Sequence, residues 1–124
     1  MTTKFKFNRA VRELTKTLTH ESTSSNVLFR LPKSARIVGW AVNVKTAFDD
    51  SATLNVGTSD DADHYIQTLD VTSAGCVDIT PSDTQNPGDE MSDVTDIYGI
   101  INESPTQGEA DVTVLFSMKQ GTPI

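Results

Sequence analysis

Arg36-Ile37-Val38-Gly39-Trp40-Ala41-Val42-Asn43-Val44-Lys45-Thr46-Ala47-Phe48 is the stretch that decides the fold class. Val38, Trp40, Val42, Val44 and Thr46 fall on one side of an extended chain; Ile37, Gly39, Ala41, Asn43 and Lys45 fall on the other. A helix repeats every 3.6 residues and cannot place large apolar residues at strict alternation. The stretch therefore reads as a long, half-buried strand with Trp40 as its core anchor. Asp49-Asp50-Ser51 reads as a turn, and Ala52 to Gly57 as the returning strand of a hairpin.

The same period appears on both sides of this element. Asn26 to Leu31 alternates Val27, Phe29 and Leu31, and Pro32 ends it. His64 to Val71 builds an apolar face on Ile66 and Leu69, and Gly75 to Thr80 puts Val77 and Ile79 together. Val94 to Asn102 carries Ile97, Tyr98, Ile100 and Ile101, and Asp111 to Lys119 alternates Val112, Val114, Phe116 and Met118. Pro81 to Glu90, with two prolines and a Pro-Gly pair, is a loop by composition, and Pro105 to Gly108 is a turn. In Val11 to Thr19 the spacing of Leu14 and Leu18 suits a helix face, but the threonines and Lys16 favour an edge strand. Seven or eight short strands separated by turns predict an all-β, antiparallel β-sandwich. Its expected core includes Trp40, Val42, Val44, Leu54, Val56, Ile100, Val114 and Phe116.

Composition agrees. The 124 residues suffice for one domain with its own core. Seventeen threonines suit the wet faces of strands. No apolar run nears the roughly 20 residues that span a bilayer, and no apolar stretch follows Met1 to Phe7 as a secretory signal requires. The single Cys76 cannot form an intramolecular disulfide and reads as a small buried hydrophobe.

Charge is distributed unevenly. Residues 1–45 hold nine of the ten basic residues against Glu13 and Glu21, whereas residues 46–124 hold fifteen acids against Lys119. Two readings follow: a two-ended molecule that docks through one face, or two halves whose charges pair across strands. An acidic body with no aromatic–basic platform argues against nucleic acid as a partner.

No residues announce catalysis. The two histidines, His20 and His64, lie in no nucleophile elbow or zinc-binding motif, and no glycine loop cradles phosphate. The chain is thus expected to be no enzyme and to carry no cofactor. Asp60, Asp61 and Asp63 could offer oxygens to Ca²⁺, but the spacing lacks the EF-hand pattern. A turn whose carboxylates cap backbone N–H groups explains them better. Asp49-Asp50 and Asp89-Glu90 read as solvated corners.

The run Leu31-Pro32-Lys33-Ser34-Ala35 leading into the long strand, then Thr46-Ala47-Phe48-Asp49-Asp50-Ser51-Ala52-Thr53-Leu54 and Val56-Gly57-Thr58-Ser59-Asp60-Asp61-Ala62-Asp63, resembles a segment of small virion proteins of tailed bacteriophages. It spans roughly residues 31–76. The resemblance implies a jelly-roll-like sandwich that decorates or cements the capsid, or sits on a head fibre or tail, with no catalytic residues. It implies a place in the virion after synthesis in the host cytoplasm. The implied partners are the major capsid protein or another virion protein, and copies of itself as a dimer or trimer; no nucleic acid or membrane partner is implied.

The whole chain is expected to form one domain, with residues 1–25 as an N-terminal arm or an edge strand. Lys4, Phe5, Lys6, Phe7 and Arg9 are the candidate contact residues: alternating Lys and Phe would add a strand to a partner's edge. The same run could instead be an intramolecular edge strand. A different class, a receptor- or carbohydrate-binding module at a tail or fibre, would expose aromatics such as Tyr65 or Tyr98 in a groove.

Overall fold

The computed structural model describes residues 9–79, 91 and 93–119. Eight strands form: β1 (Arg9–Thr19), β2 (Asn26–Leu31), β3 (Arg36–Thr46), β4 (Thr53–Gly57), β5 (Ile66–Asp70), β6 (Gly75–Ile79), β7 (Thr95–Asn102) and β8 (Glu109–Lys119). They build two four-stranded antiparallel sheets, β1-β8-β3-β6 and β2-β7-β4-β5. Every connection except β4–β5 crosses from one sheet to the other, which is jelly-roll topology. The expected all-β sandwich is what forms, and Val11 to Thr19 lies in a strand at a sheet edge.

The inner faces meet in one core that includes Trp40, Val42, Val44, Leu54, Val56, Ile97, Ile101, Val112 and Val114. Trp40 sits at its centre, tilted against Phe29 and Tyr65 with ring centroids 6.3 and 5.6 Å away. Ile100, expected in the core, is only half-buried. Ile97, Gly99 and Ile101 are the inward residues of β7.

Strict alternation fails at four bulges, one of them in β5, where Leu69 lies opposite Leu54 but Ile66 opposite Val56. In β3 the pairing with β8 slips between Ile37 and Gly39, so Ile37 turns inward opposite Phe116 and Val38 turns outward. A second slip, between Val44 and Thr46, leaves Lys45 and Thr46 both exposed. In β2 a slip between Val27 and Phe29 exposes Val27 and buries Leu28. Each extra residue shifts the side-chain period by one, so Val38, Thr46 and Val27 leave the face that alternation gives them. In β6, Val77 is exposed and only Ile79 reaches the core.

The β3–β4 hairpin does not form. β4 pairs with β5 and β7, and the chain after β3 crosses to the opposite sheet. Asp49-Asp50-Ser51 does turn, with Asp50 and Ser51 at φ of 59° and 56° and Ala52 N–H bonded to the Asp49 carbonyl at 3.2 Å. Phe48 and Ala52 on either side are buried, so the crossover is anchored in the core. Gly57 ends β4 where the corner folds back: a Cβ there would stand 2.1 Å from the Asp61 carbonyl oxygen. No residue but glycine fits that approach without moving backbone.

Candidate interaction surfaces

Lys4, Phe5, Lys6 and Phe7 lie outside the described residues, as does the loop at 81–90. Arg9 opens β1. What can be located is the platform that follows it. β1 is an edge strand eleven residues long, paired with β8 along its whole length without a bulge. Residues 11–17 are all exposed. Residues directly opposite one another in an antiparallel pair point to the same face. Arg12, Leu14 and Lys16, opposite Phe116, Val114 and Val112, therefore point to the inner side of their sheet. They are exposed because β1 overhangs the second sheet, which it barely contacts: among residues 11–19 only Leu18 is buried. A shallow depression lined by Lys16, Leu18, Glu21, Ser22, Asn26 and Val27 marks where the two edges splay.

The opposite side of the sandwich ends in β6 and β5. Between Ala47 and Ile79 the chain carries seven aspartates and no lysine or arginine. The uneven charge of the sequence thus has two outcomes. Part of it pairs across strands: Arg30 on β2 makes a two-point contact with Asp96 on β7, at 2.7 and 3.2 Å. Lys45 lies 3.2 Å from Glu109 and 3.5 Å from Asp111 on β8. The Arg30 bond holds the Asp96 carboxyl below its ordinary range, and the Glu109 bond and its neighbour Asp111 hold the Lys45 ammonium above its own. The rest separates laterally, with Arg12 and Lys16 at one side and the aspartates toward the other.

Those aspartates act mainly on their own turns. At the Asp60–Asp63 corner the backbone N–H of Asp61 donates to the Thr58 hydroxyl, and Thr58 N–H to the Asp61 carbonyl. The Asp61 carboxylate lies 3.4 Å from His64 Nδ1, and Gln67 donates to Asp63 at 3.1 Å. A bond with the neighbouring Asp63 side chain, then one with His64, lowers the Asp61 pKa. The corner is a turn, as expected: the Asp63 N–H bonds the Asp61 carboxylate, the Thr58 hydroxyl caps the Asp61 N–H, and Asp63 accepts from Gln67. Among the described residues no three Asp, Glu, His or Cys side chains converge as metal ligands would.

Asp49 is more than the solvated corner its sequence suggests. Its carboxylate accepts from the Thr106 N–H at 2.6 Å, from the Thr106 hydroxyl and from the Gln107 N–H at 3.4 Å. The Thr106 hydroxyl, then its N–H, holds the Asp49 carboxyl below the usual carboxylate range. Gly108, at φ 140°, closes the same loop beneath the Phe48 ring, which a Cβ would overlap at 2.3 Å. Nothing in the sequence signals this pairing of positions 57 residues apart.

The remaining candidates separate. His20 lies in the β1–β2 turn, its N–H on the Gly108 carbonyl, while His64 stacks edge-on against Tyr65 at 4.7 Å. Tyr65 is buried against Trp40, and that burial raises its pKa. Tyr98 is half-buried in β7, opposite the exposed Val27. Cys76, expected to be buried, is exposed on β6. Among the described residues no helix is long and apolar enough to cross a membrane.

No protein-family model and no curated protein matches the chain. Solved structures do. A chain in the Cyanophage Pam1 capsid asymmetric unit superposes with TM-score 0.68 at 15% identity, over 94% of this chain and 90% of that one. The acid-stable capsid of Helicobacter pylori bacteriophage KHP30 contains a chain at TM-score 0.71 and 13% identity, over 89% of each. The capsid of Ralstonia phage GP4 contains a third at 0.64 and 19%, over 92% and 85%. This is a fold found in phage capsids. Coverage of 85–94% of each chain means that the likeness extends over most of the chain and is not confined to one part of it.

Proposed function

We propose that the chain is a non-enzymatic phage virion protein that decorates or cements the capsid through contacts with the capsid surface and with copies of itself. The observation that carries this reading is the near full-length likeness to chains in three phage capsids. The resemblance of residues 31–76 to small virion proteins points the same way. So does the absence of any nucleophile motif in the sequence. The major capsid protein or another virion protein is the partner, and the virion is the location. The Lys4–Phe7 run leads directly into the exposed edge of β1, so a strand added there would continue an existing sheet.

Co-sedimentation with empty capsids of the cognate phage tests the proposal. The full chain is expected to pellet with the shells, and deletion of residues 1–9 to reduce the bound fraction at least tenfold. A full chain that stays in the supernatant sinks the capsid reading. Undiminished binding after the deletion sinks the arm while leaving the capsid reading in place. The carbohydrate-binding alternative would use Tyr65 or Tyr98; the Tyr65 ring is packed against Trp40 and Tyr98 is half-buried.

A further inference from the structure

We propose that copies of this chain associate head to tail, the free edge of β1 in one copy pairing with the free edge of β6 in the next. The interface deepens the self-association included in the function above.

Four observations converge. First, among the described residues both strands are open on one side: β1 pairs only with β8, and β6 only with β3. An edge of eleven residues without proline or bulge is a template for another strand, and its inward-pointing Arg12 and Lys16 restrict it to a partner of opposite charge. Second, the polarity is right. Successive strands of this sheet alternate in direction, so β1 and β6 at its ends run opposite ways. A copy placed beside the first with its inner face on the same side presents an antiparallel edge.

Third, the exposed apolar residues match in face. Leu14 on β1 is 41% exposed and Val77 on β6 is 40% exposed. Both point to the inner side, Leu14 opposite Val114 and Val77 opposite Val42. The register that sets Ile79 beside Leu14 also sets Val77 beside Lys16 and Asp78 beside Thr15. Apolar atoms then meet apolar atoms, the Lys16 stem included, and no like charges stand opposite.

Fourth, the charges complement. Arg12 and Lys16 have no acidic partner among the described residues, and they point toward the layer of the second sheet. In the next copy that layer ends in β5 and the corner bearing Asp60, Asp61 and Asp63. Pairing two β1 edges about a two-fold axis centred on Leu14 would instead set Arg12 against Lys16, and centring on Glu13 would set two glutamates together. A β1–β6 contact is heterologous and generates a ring or an open chain; a β1 pair centred on Thr15 sets no like charges opposite and is told apart by the Val77 variant, which would still dimerise.

Sedimentation velocity on the full chain, with Leu14→Asp and Val77→Lys variants, decides the matter, the new lysine standing opposite Lys16. Both positions are exposed, and circular dichroism checks that each variant keeps its fold. The unmodified chain is expected to form assemblies larger than a monomer, and each variant to be monomeric at the same concentration. An equal mixture of the two variants is expected to form a 1:1 dimer, because one retains its β6 edge and the other its β1 edge. A chain that stays monomeric up to about 1 mM overturns the proposal. So does a Val77→Lys variant that still dimerises, or a mixture that does not.

Should a variant misfold, salt gives a second readout on the unmodified chain. At 1 M salt the Debye length falls to about 3 Å, and the dissociation constant is expected to rise at least fivefold. No rise overturns the complementarity. These measurements contain no capsid, so their failure and that of the co-sedimentation test are separately visible.

Discussion

Asp49 is joined to a loop more than fifty residues away by the three bonds described above, all of which its ionised form accepts best. A carboxyl whose folded pKa lies below its unfolded value contributes stability that is complete above the unfolded pKa. That contribution fades as pH falls through the folded pKa. Asp70, bonded to the Thr72 hydroxyl and N–H, and Asp96, bonded to Arg30, act in the same direction. Thermal unfolding from pH 7 down to about pH 2 should therefore show a midpoint that declines below about pH 4. Asp49→Asn should lower the midpoint at pH 7 and flatten part of that decline. An identical pH profile for the variant would mean that the Thr106 contact carries no stability. The neighbouring Asp50 has the same chemistry and no such bond, a difference that residue type alone cannot express.

At the scale of the element, most strands were legible because burial on one face forces a period of two. β8 keeps that period throughout, with Val112, Val114 and Phe116 buried and Met118 packed against the core. The period broke where a strand must bend. A bulge lengthens one strand against its partner by a residue, and no residue type in Ile37-Val38-Gly39 announces it. The bulge has a measurable signature. Val38→Thr should change stability by no more than about 0.5 kcal/mol, because the side chain is at the surface. Ile37→Thr should cost about 2–4 kcal/mol, through lost volume and a buried hydroxyl. Urea denaturation of both variants checks this; equal costs would mean that Val38 is inside after all.

For the whole molecule, strand order matters more than strand content. Apart from β4–β5, each strand pairs with one distant in sequence: β1 with β8, β2 with β7, β3 with β6 and β8. Closing such loops costs entropy before any contact offsets it. Stopped-flow refolding should accordingly take milliseconds to seconds, as in other sandwiches with non-local pairing; microsecond refolding would contradict the topology. The same order sends charge to the two sides of the molecule. Residues 9–31 supply β1 and β2 at one side, and the acidic middle of the chain supplies β5 and β6 at the other.

Period-two alternation, turn residues and threonine content were enough to determine an all-β sandwich with Trp40 at its core, because burial patterns are written locally in the chain. The resemblance of residues 31–76 pointed to virion proteins for the same reason: it rests on contiguous residues. Tertiary structure alone decided that β4 leaves β3 for the other sheet, that Val38 faces out, that Asp49 holds Thr106, and that β1 overhangs with its basic inner face uncovered. Each of these depends on which distant strand lies alongside. That choice is made by the packing of the two sheets as a whole, which no local pattern of residues records.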